Sequence, residues 1–132
     1  MGDLDKNKGA LNQSLLEAIP IATAEIVIDE NKNILIGLNN SLFKNIWPLA
    51  PGDLKKDRLA IEFLDILRDR RLLPEQTNFR KFKAHIESNI LKQEIFSEEW
   101  HLPDSRSLRV RFQFLNIKQS MFTVEDLTPN FI

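Results

Sequence analysis

The chain has 132 residues, the size of one domain, and its 42 % hydrophobic and 28 % charged side chains are the balance of a globular fold that needs no staples. A net charge of −1 gives no electrostatic basis for binding nucleic acid or an anionic membrane. The absence of cysteine excludes disulfides, thiolate catalysis, zinc–thiolate sites and any cysteinyl–flavin adduct.

No apolar run approaches the roughly 20 residues that cross a bilayer, and the polar N-terminus carries no signal-peptide core, so a cytoplasmic location is expected. Residues 1–10 are small, polar and charged and are expected to be flexible. One domain is expected over 11–128, followed by the start of a truncated helix over 129–132.

Leu11, Leu15, Ala18 and Ile19 fall at helical spacing, and Pro20 closes that helix. Two readings stay open: a cap packed on its own domain, or an amphipathic helix shared with a partner chain through Leu11 and Leu15. Residues 22–28 are rich in β-branched side chains and read as a strand. A polar turn over 29–33 leads to a second strand over 34–38, so apolar that both its faces are expected to be covered. Gly37 inside it signals a bulge or a close backbone approach.

Asn39 and Asn40 suit a helix start, and Leu42, Phe43, Ile46 and Trp47 form one apolar stripe on a short helix. Asp53 is expected to cap a second helix running to Arg71, with Ala60, Phe63, Leu64 and Leu67 on one side. The run Arg68, Arg70 and Arg71, interrupted by Asp69, reads as a solvated helix end. Thr77 opens a third helix, in which Phe79, Phe82, Ile86 and Ile90 recur on one face.

The stretch 98–128 then alternates. Leu108, Val110, Phe112 and Phe114 point one way; Arg109, Arg111 and Gln113 point the other. With the flanking runs around Trp100 and over 121–127 it reads as a three-stranded antiparallel meander. The result is an α+β domain of five antiparallel strands with helices on one face. Ile26, Ile28, Phe63, Phe82, Ile86, Val110, Phe112, Phe122 and Val124 line the enclosed space and are the candidate pocket residues.

This order of elements resembles a PAS domain. Asn39-Asn40-Ser41-Leu42-Phe43 is similar to the family's N-x-A-F segment after the second strand. Trp100-His101-Leu102-Pro103-Asp104-Ser105-Arg106-Ser107-Leu108-Arg109-Val110 resembles the W-x-L-P-D-G-R-x-L-R-V run of PAS domains in bacterial sensor histidine kinases. Glu125-Asp126-Leu127-Thr128 looks like the E-D-[IVL]-T sequence that closes the PAS core and opens an output helix. Ser105 stands where the family usually has glycine, so a different turn is expected there.

The resemblance implies strand order 2-1-5-4-3, an N-terminal helix, and three helices between the second and third strands. It implies a sensory module of a two-component histidine kinase, relaying ligand or partner binding to a downstream kinase core. Homodimerisation and contact with downstream dimerisation helices are implied with it. Asp126 and Thr128 would form the output junction, Asp126 bonding a backbone amide or a basic side chain such as Arg109 or Arg111. The alternative is a ligand-free PAS module for dimerisation or protein interaction.

No enzyme chemistry is expected of the chain itself. His85 and His101 lie outside any phosphoacceptor context, and the four glycines form no phosphate cradle. Spacing suggests no metal cluster and no inward polar catalytic group. Haem-binding relatives use a histidine on the helix before the meander, but His85 lies about 100° from that helix's apolar stripe, so no haem ligation and no cofactor is expected.

Overall fold

The computed structural model describes residues 12–55 and 57–128. Their elements run α1 (Gln13–Ala18), β1 (Ala22–Ile28), β2 (Ile34–Asn39), α2 (Ser41–Ile46), β3 (Arg58–Leu59), α3 (Ala60–Asp69), α4 (Phe79–Leu91), β4 (Phe96–His101), β5 (Ser107–Asn116) and β6 (Gln119–Asp126). They form one antiparallel sheet in the order β3-β2-β1-β6-β5-β4. The five expected strands are present in the expected order. The sixth, β3, is a two-residue addition that pairs Leu59 with Leu35 and Arg58 with Ile36 at the β2 edge.

The inner face carries the alternation read from the sequence. Leu108, Val110 and Phe112 on β5 and Phe122 and Val124 on β6 are buried, and register sets Phe112 opposite Phe122 and Val110 opposite Val124. β1 contributes the small Ala22 and Ala24 to the same rows, beside Val124 and Phe122. Their missing bulk leaves room for α2, which packs over β1 and inserts Phe43 and Trp47, both fully buried. Leu42, expected in that stripe, is 44 % exposed instead.

Three more helix expectations need correction. The segment after α2 does not become a helix at Asp53; residues 51–54 form a turn, and α3 starts only at Ala60. Pairing with β2 holds Arg58 and Leu59 themselves extended, and the carboxylate of Glu62 accepts from the Leu59 N–H at the helix start. α4 is capped by Asn78, whose side chain accepts from the Lys81 N–H at 3.0 Å, one residue beyond the expected Thr77. In α1 the buried side chain is Leu16, while Leu15 is 48 % exposed; Leu11 lies outside the described residues, as do 1–10 and 129–132.

β2 is covered on one face only, since Leu38 is exposed. Gly37 does mark a bulge. The register between β1 and β2 slips between Ala24 and Ile26, and the Glu25 carboxylate lies over Gly37, where a Cβ would collide with it. That carboxylate accepts from the Leu38 N–H at 3.3 Å and from the Gln119 side chain. The turn before β5 keeps the left-handed geometry that glycine favours: Ser105 has φ 75°, and its N–H donates to the Leu102 carbonyl at 3.0 Å. Side-chain bonds from the Arg106 N–H and guanidinium to Asp104 (3.0 and 2.9 Å) hold the serine there.

Asn40 joins the N-terminal elements. Its Oδ1 accepts from the Phe43 N–H (3.0 Å), capping α2, and from the Thr23 N–H (3.1 Å) at the start of β1. Its Nδ2 donates to the carbonyls of Leu16 (3.0 Å) and Ile21 (2.9 Å). The side chain is 1 % exposed, so water cannot replace these partners. Two further ties draw α1 onto the same place: Glu17 accepts from the Ser41 N–H (2.7 Å) and hydroxyl (2.8 Å), and Gln13 donates to the Asn39 carbonyl (2.8 Å).

Asn40→Ala removes a cap, strands the buried Thr23 N–H and takes one of two donors from each of the Leu16 and Ile21 carbonyls, for an expected loss of about 3 kcal/mol. Urea unfolding of the two proteins measures it. A loss below about 1 kcal/mol contradicts the role given to this amide.

Candidate functional site

The candidate pocket residues converge. Ile26, Ile28, Phe63, Ile86, Val110, Phe112, Phe122 and Val124 are all buried in one core, and Phe82 packs against it half-buried. The aromatic ones among them meet ring to ring. Across the sheet, Phe96 stacks on Phe112 (centroids 5.0 Å apart) and Phe112 on Phe122 (4.5 Å). From the helices, Phe43 sets its edge on Phe122 at 5.6 Å and stacks on Phe63 at 5.8 Å. Trp47 reaches Phe43, Phe63 and Trp100, and Phe82 closes on Trp100 at 5.6 Å. These spacings are those of directly packed rings. Within this cluster the Trp47 indole N–H finds no acceptor among the described residues.

His85 does not enter this core. Its ring is on the surface, with Nε2 3.1 Å from the Glu98 carboxylate and Asn89 alongside. The other oxygen of Glu98 accepts from the Trp100 indole N–H at 2.8 Å, so one carboxylate spans surface and core. His101 is exposed beside the Ser107 hydroxyl.

At the other end of β6 lies the expected output junction. Asp126 accepts from the Thr128 N–H at 2.8 Å, and the Thr128 hydroxyl accepts from the Ser107 N–H at 3.0 Å. The Leu127 N–H donates to the Ser107 carbonyl at 2.7 Å. Hydrogen bonds from the Thr128 side chain and then its main chain hold the Asp126 carboxyl below its ordinary range, with the charge of Arg106 adding to them. Of the two partners expected for Asp126, a backbone amide or a basic side chain, the structure shows the amide. Neither Arg109 nor Arg111 pairs with it: Arg109 sits between Glu99 (3.6 Å) and Glu125 (3.7 Å) across the outer face, and Arg106 is the cation near Asp126. Cross-strand register opposite two glutamates settles where Arg109 goes.

Arg106 also donates to the Ile46 carbonyl at 2.8 Å, fastening this end of the sheet to the end of α2. Together with Ile21, Leu42 and Asp126 it lines a shallow cleft of about 400 Å³. Arg106 was inside the recognised Trp100-to-Val110 run, but no spacing rule connects it to a helix end sixty positions earlier.

No family model matches the chain. Among curated proteins, Sensor protein DivL of Caulobacter vibrioides is 31 % identical over 94 residues, which is 68 % of this chain and 12 % of that protein. Among solved structures, the LOV domain of a blue-light activated histidine kinase from Erythrobacter litoralis superposes with TM-score 0.54 at 10 % identity, covering 84 % of this chain and 99 % of that one. A domain of the putative light and redox sensing histidine kinase from Haloarcula marismortui gives 0.54 at 15 % identity, covering 87 % and 96 %. The chain is a PAS-fold domain.

Two features of this PAS domain escaped sequence reasoning. One is the Asn40 amide, legible as a cap but not as a four-way tie. The other is Asp53, buried at 9 % exposure, which takes both ends of the Arg70 guanidinium (2.5 and 2.9 Å) and the Ala50 N–H (2.6 Å). It fastens the turn after α2 to the end of α3. Hydrogen bonding from Arg70 is the first cause that holds the Asp53 carboxyl below its ordinary range.

A carboxyl with a lowered folded pKa contributes stability above its unfolded value, about pH 3.9, and loses it as pH falls through the folded value. Asp53→Asn is therefore expected to be less stable than the parent at pH 7, with the gap shrinking as pH falls from about 4. Paired urea unfolding curves across that range check it. A gap that is unchanged in acid contradicts the ion pair's contribution.

Proposed function

We propose that this PAS domain is a sensory and regulatory module of a two-component histidine kinase, passing a packing change to a kinase core beyond it. The similarity to Sensor protein DivL over a PAS-fold core is the observation that carries this reading. The chain matches only 12 % of that protein's length, so the kinase activity, the partners and a cytoplasmic setting belong to the proposal. In this reading the chain itself carries binding and relay, and catalysis belongs to the kinase core beyond it.

The output route is the clasp of Asp126, Thr128 and Ser107. Residues 129–132 continue directly from it. A shift of β6 against β5 must break or remake the bonds that Ser107 shares with Leu127 and Thr128. A population-shift relay through this clasp requires a second arrangement of similar energy, whose share the input changes. The chain would act as a homodimer, with the exposed side of α1 around Leu15 as one contact.

The interior supports input by partner contact rather than by a buried chromophore. A flavin or haem needs the space that Phe43, Phe63, Phe112 and Phe122 occupy, so these residues do not fit either group. With no cysteine, a cysteinyl adduct has no nucleophile. The same filled core favours the second reading, a ligand-free PAS interaction module.

Asp126→Ala and Thr128→Val in the full-length protein are expected to change autophosphorylation about fivefold or more while the domain stays folded. Activity within about twofold of the parent for both variants contradicts a relay through this clasp and leaves the interaction module.

A further inference from the structure

The arginines at the end of α3 do not behave alike. Arg70 is engaged by Asp53, and on the neighbouring helix Lys83 is engaged by Asp65 at 3.0 Å. Arg68 and Arg71 have no carboxylate within 4.0 Å among the described residues. Both line one cleft of about 420 Å³ between the end of α3, the segment that follows it and the β4–β5 turn. That volume is in the range of small-molecule sites.

A ring contact places the Arg68 side chain, and the backbone places Arg71 at the mouth of the cleft. Arg68 lies over the Phe79 ring, its Cζ 4.6 Å from the centroid, a cation–π contact that holds the group against the ring. Arg71 stands at the left-handed position that ends α3. Its φ is 58°, its N–H donates to the Arg68 carbonyl (2.9 Å), and the Leu72 N–H reaches the Leu67 carbonyl (2.8 Å). Glycine takes that position without steric cost, so an arginine held there is an outlier that points to use of its side chain. The floor and walls are apolar: Leu73, buried, with Pro74 and Pro103. Gln76 donates to the Pro74 carbonyl at 2.8 Å and stiffens the loop. Glu75 also borders the cleft, leaving two positive charges against one negative.

Two arginines without a carboxylate partner among the described residues, lining one cleft beside an apolar wall, match an anionic head carried on a small apolar body. We propose that this cleft binds a small molecule bearing a carboxylate or phosphate, held by Arg68 and Arg71 with its apolar part against Leu73, Pro74 and Pro103. The site lies at the end of α3, and none of its lining residues belongs to the aromatic cluster or to the Asp126 clasp. It goes beyond the proposed relay and does not depend on it.

The test is a titration of the chain with phenyl phosphate, benzoate and inorganic phosphate, followed by amide NMR. Saturable shifts centred on Leu72, Leu73 and Gln76 are expected with phenyl phosphate or benzoate, and weaker ones with inorganic phosphate, which lacks the apolar body. Which of the two aromatic probes binds more tightly assigns the head group. Arg71→Gly is expected to fold with a thermal midpoint at least equal to the parent's, because it relieves the left-handed position, while affinity falls about tenfold or more. Arg68→Gln is expected to lose affinity likewise. No saturable shift with any probe, shifts scattered over other lysines and arginines, or undiminished binding by both variants overturns the proposal.

Discussion

Four hydrogen bonds to one buried amide hold the N-terminal third of this domain in place. A side-chain amide offers two donors and two acceptor lone pairs, and Asn40 directs them at Leu16, Ile21, Thr23 and Phe43. Aspartate could not donate, leucine could do neither, and glutamine would overreach. The constraint fixes the angle between α1, β1 and α2 at once. α2 in turn delivers Phe43 and Trp47 into the interior, and Ala22 and Ala24 on β1 are small enough to receive them. The position of the core aromatics therefore depends on a polar group at the domain's edge.

What those aromatics build is a continuous ring-on-ring layer from Phe96 through Phe112 and Phe122 to Phe43 and Phe63. Burial on this scale stabilises a small domain by packing alone, at about 25 cal/mol for each Å² of apolar surface removed from water. It also fixes how the fold can respond. Rings packed directly against one another move together rather than singly, so the proposed relay is sought at the boundary of this core, where few bonds hold it. The clasp of Asp126, Thr128 and Ser107 is such a place, exposed and made of three short hydrogen bonds. Arg106 couples it to the end of α2, and hence to Asn40 at the other end of the same short helix.

Much of this was legible in the sequence because period two is a strong signal when both faces differ. β5 showed Leu108, Val110 and Phe112 against Arg109 and Arg111, and β1 was bounded by Pro20 and a polar turn. What failed were places where tertiary contacts override local preference. Asp53 looks like a helix cap, but Arg70 claims its carboxylate and β2 holds Arg58 and Leu59 extended. The adjacent Leu15 and Leu16 lie only about 100° apart on a helix, so a six-residue α1 cannot reveal which is inward until Asn40 docks its C-terminus. Ser105 was expected to change its turn, yet the bonds to Asp104 and the closure of β4 on β5 hold the left-handed geometry. The candidate pocket residues were placed on the right face by alternation. How closely the aromatic ones among them pack depends on Phe43 and Trp47, whose reach across the sheet no periodicity encodes.

The self-filled interior is the claim on which the rest of the account turns. Native mass spectrometry of the chain, purified under mild conditions and paired with its absorption spectrum, tests it directly. The account predicts the mass of the polypeptide alone and no visible absorption. A stoichiometric adduct that is released on unfolding, with or without colour, and lost on Phe122→Trp, would contradict it, because a guest could then occupy the space assigned to Phe43, Phe63, Phe112 and Phe122.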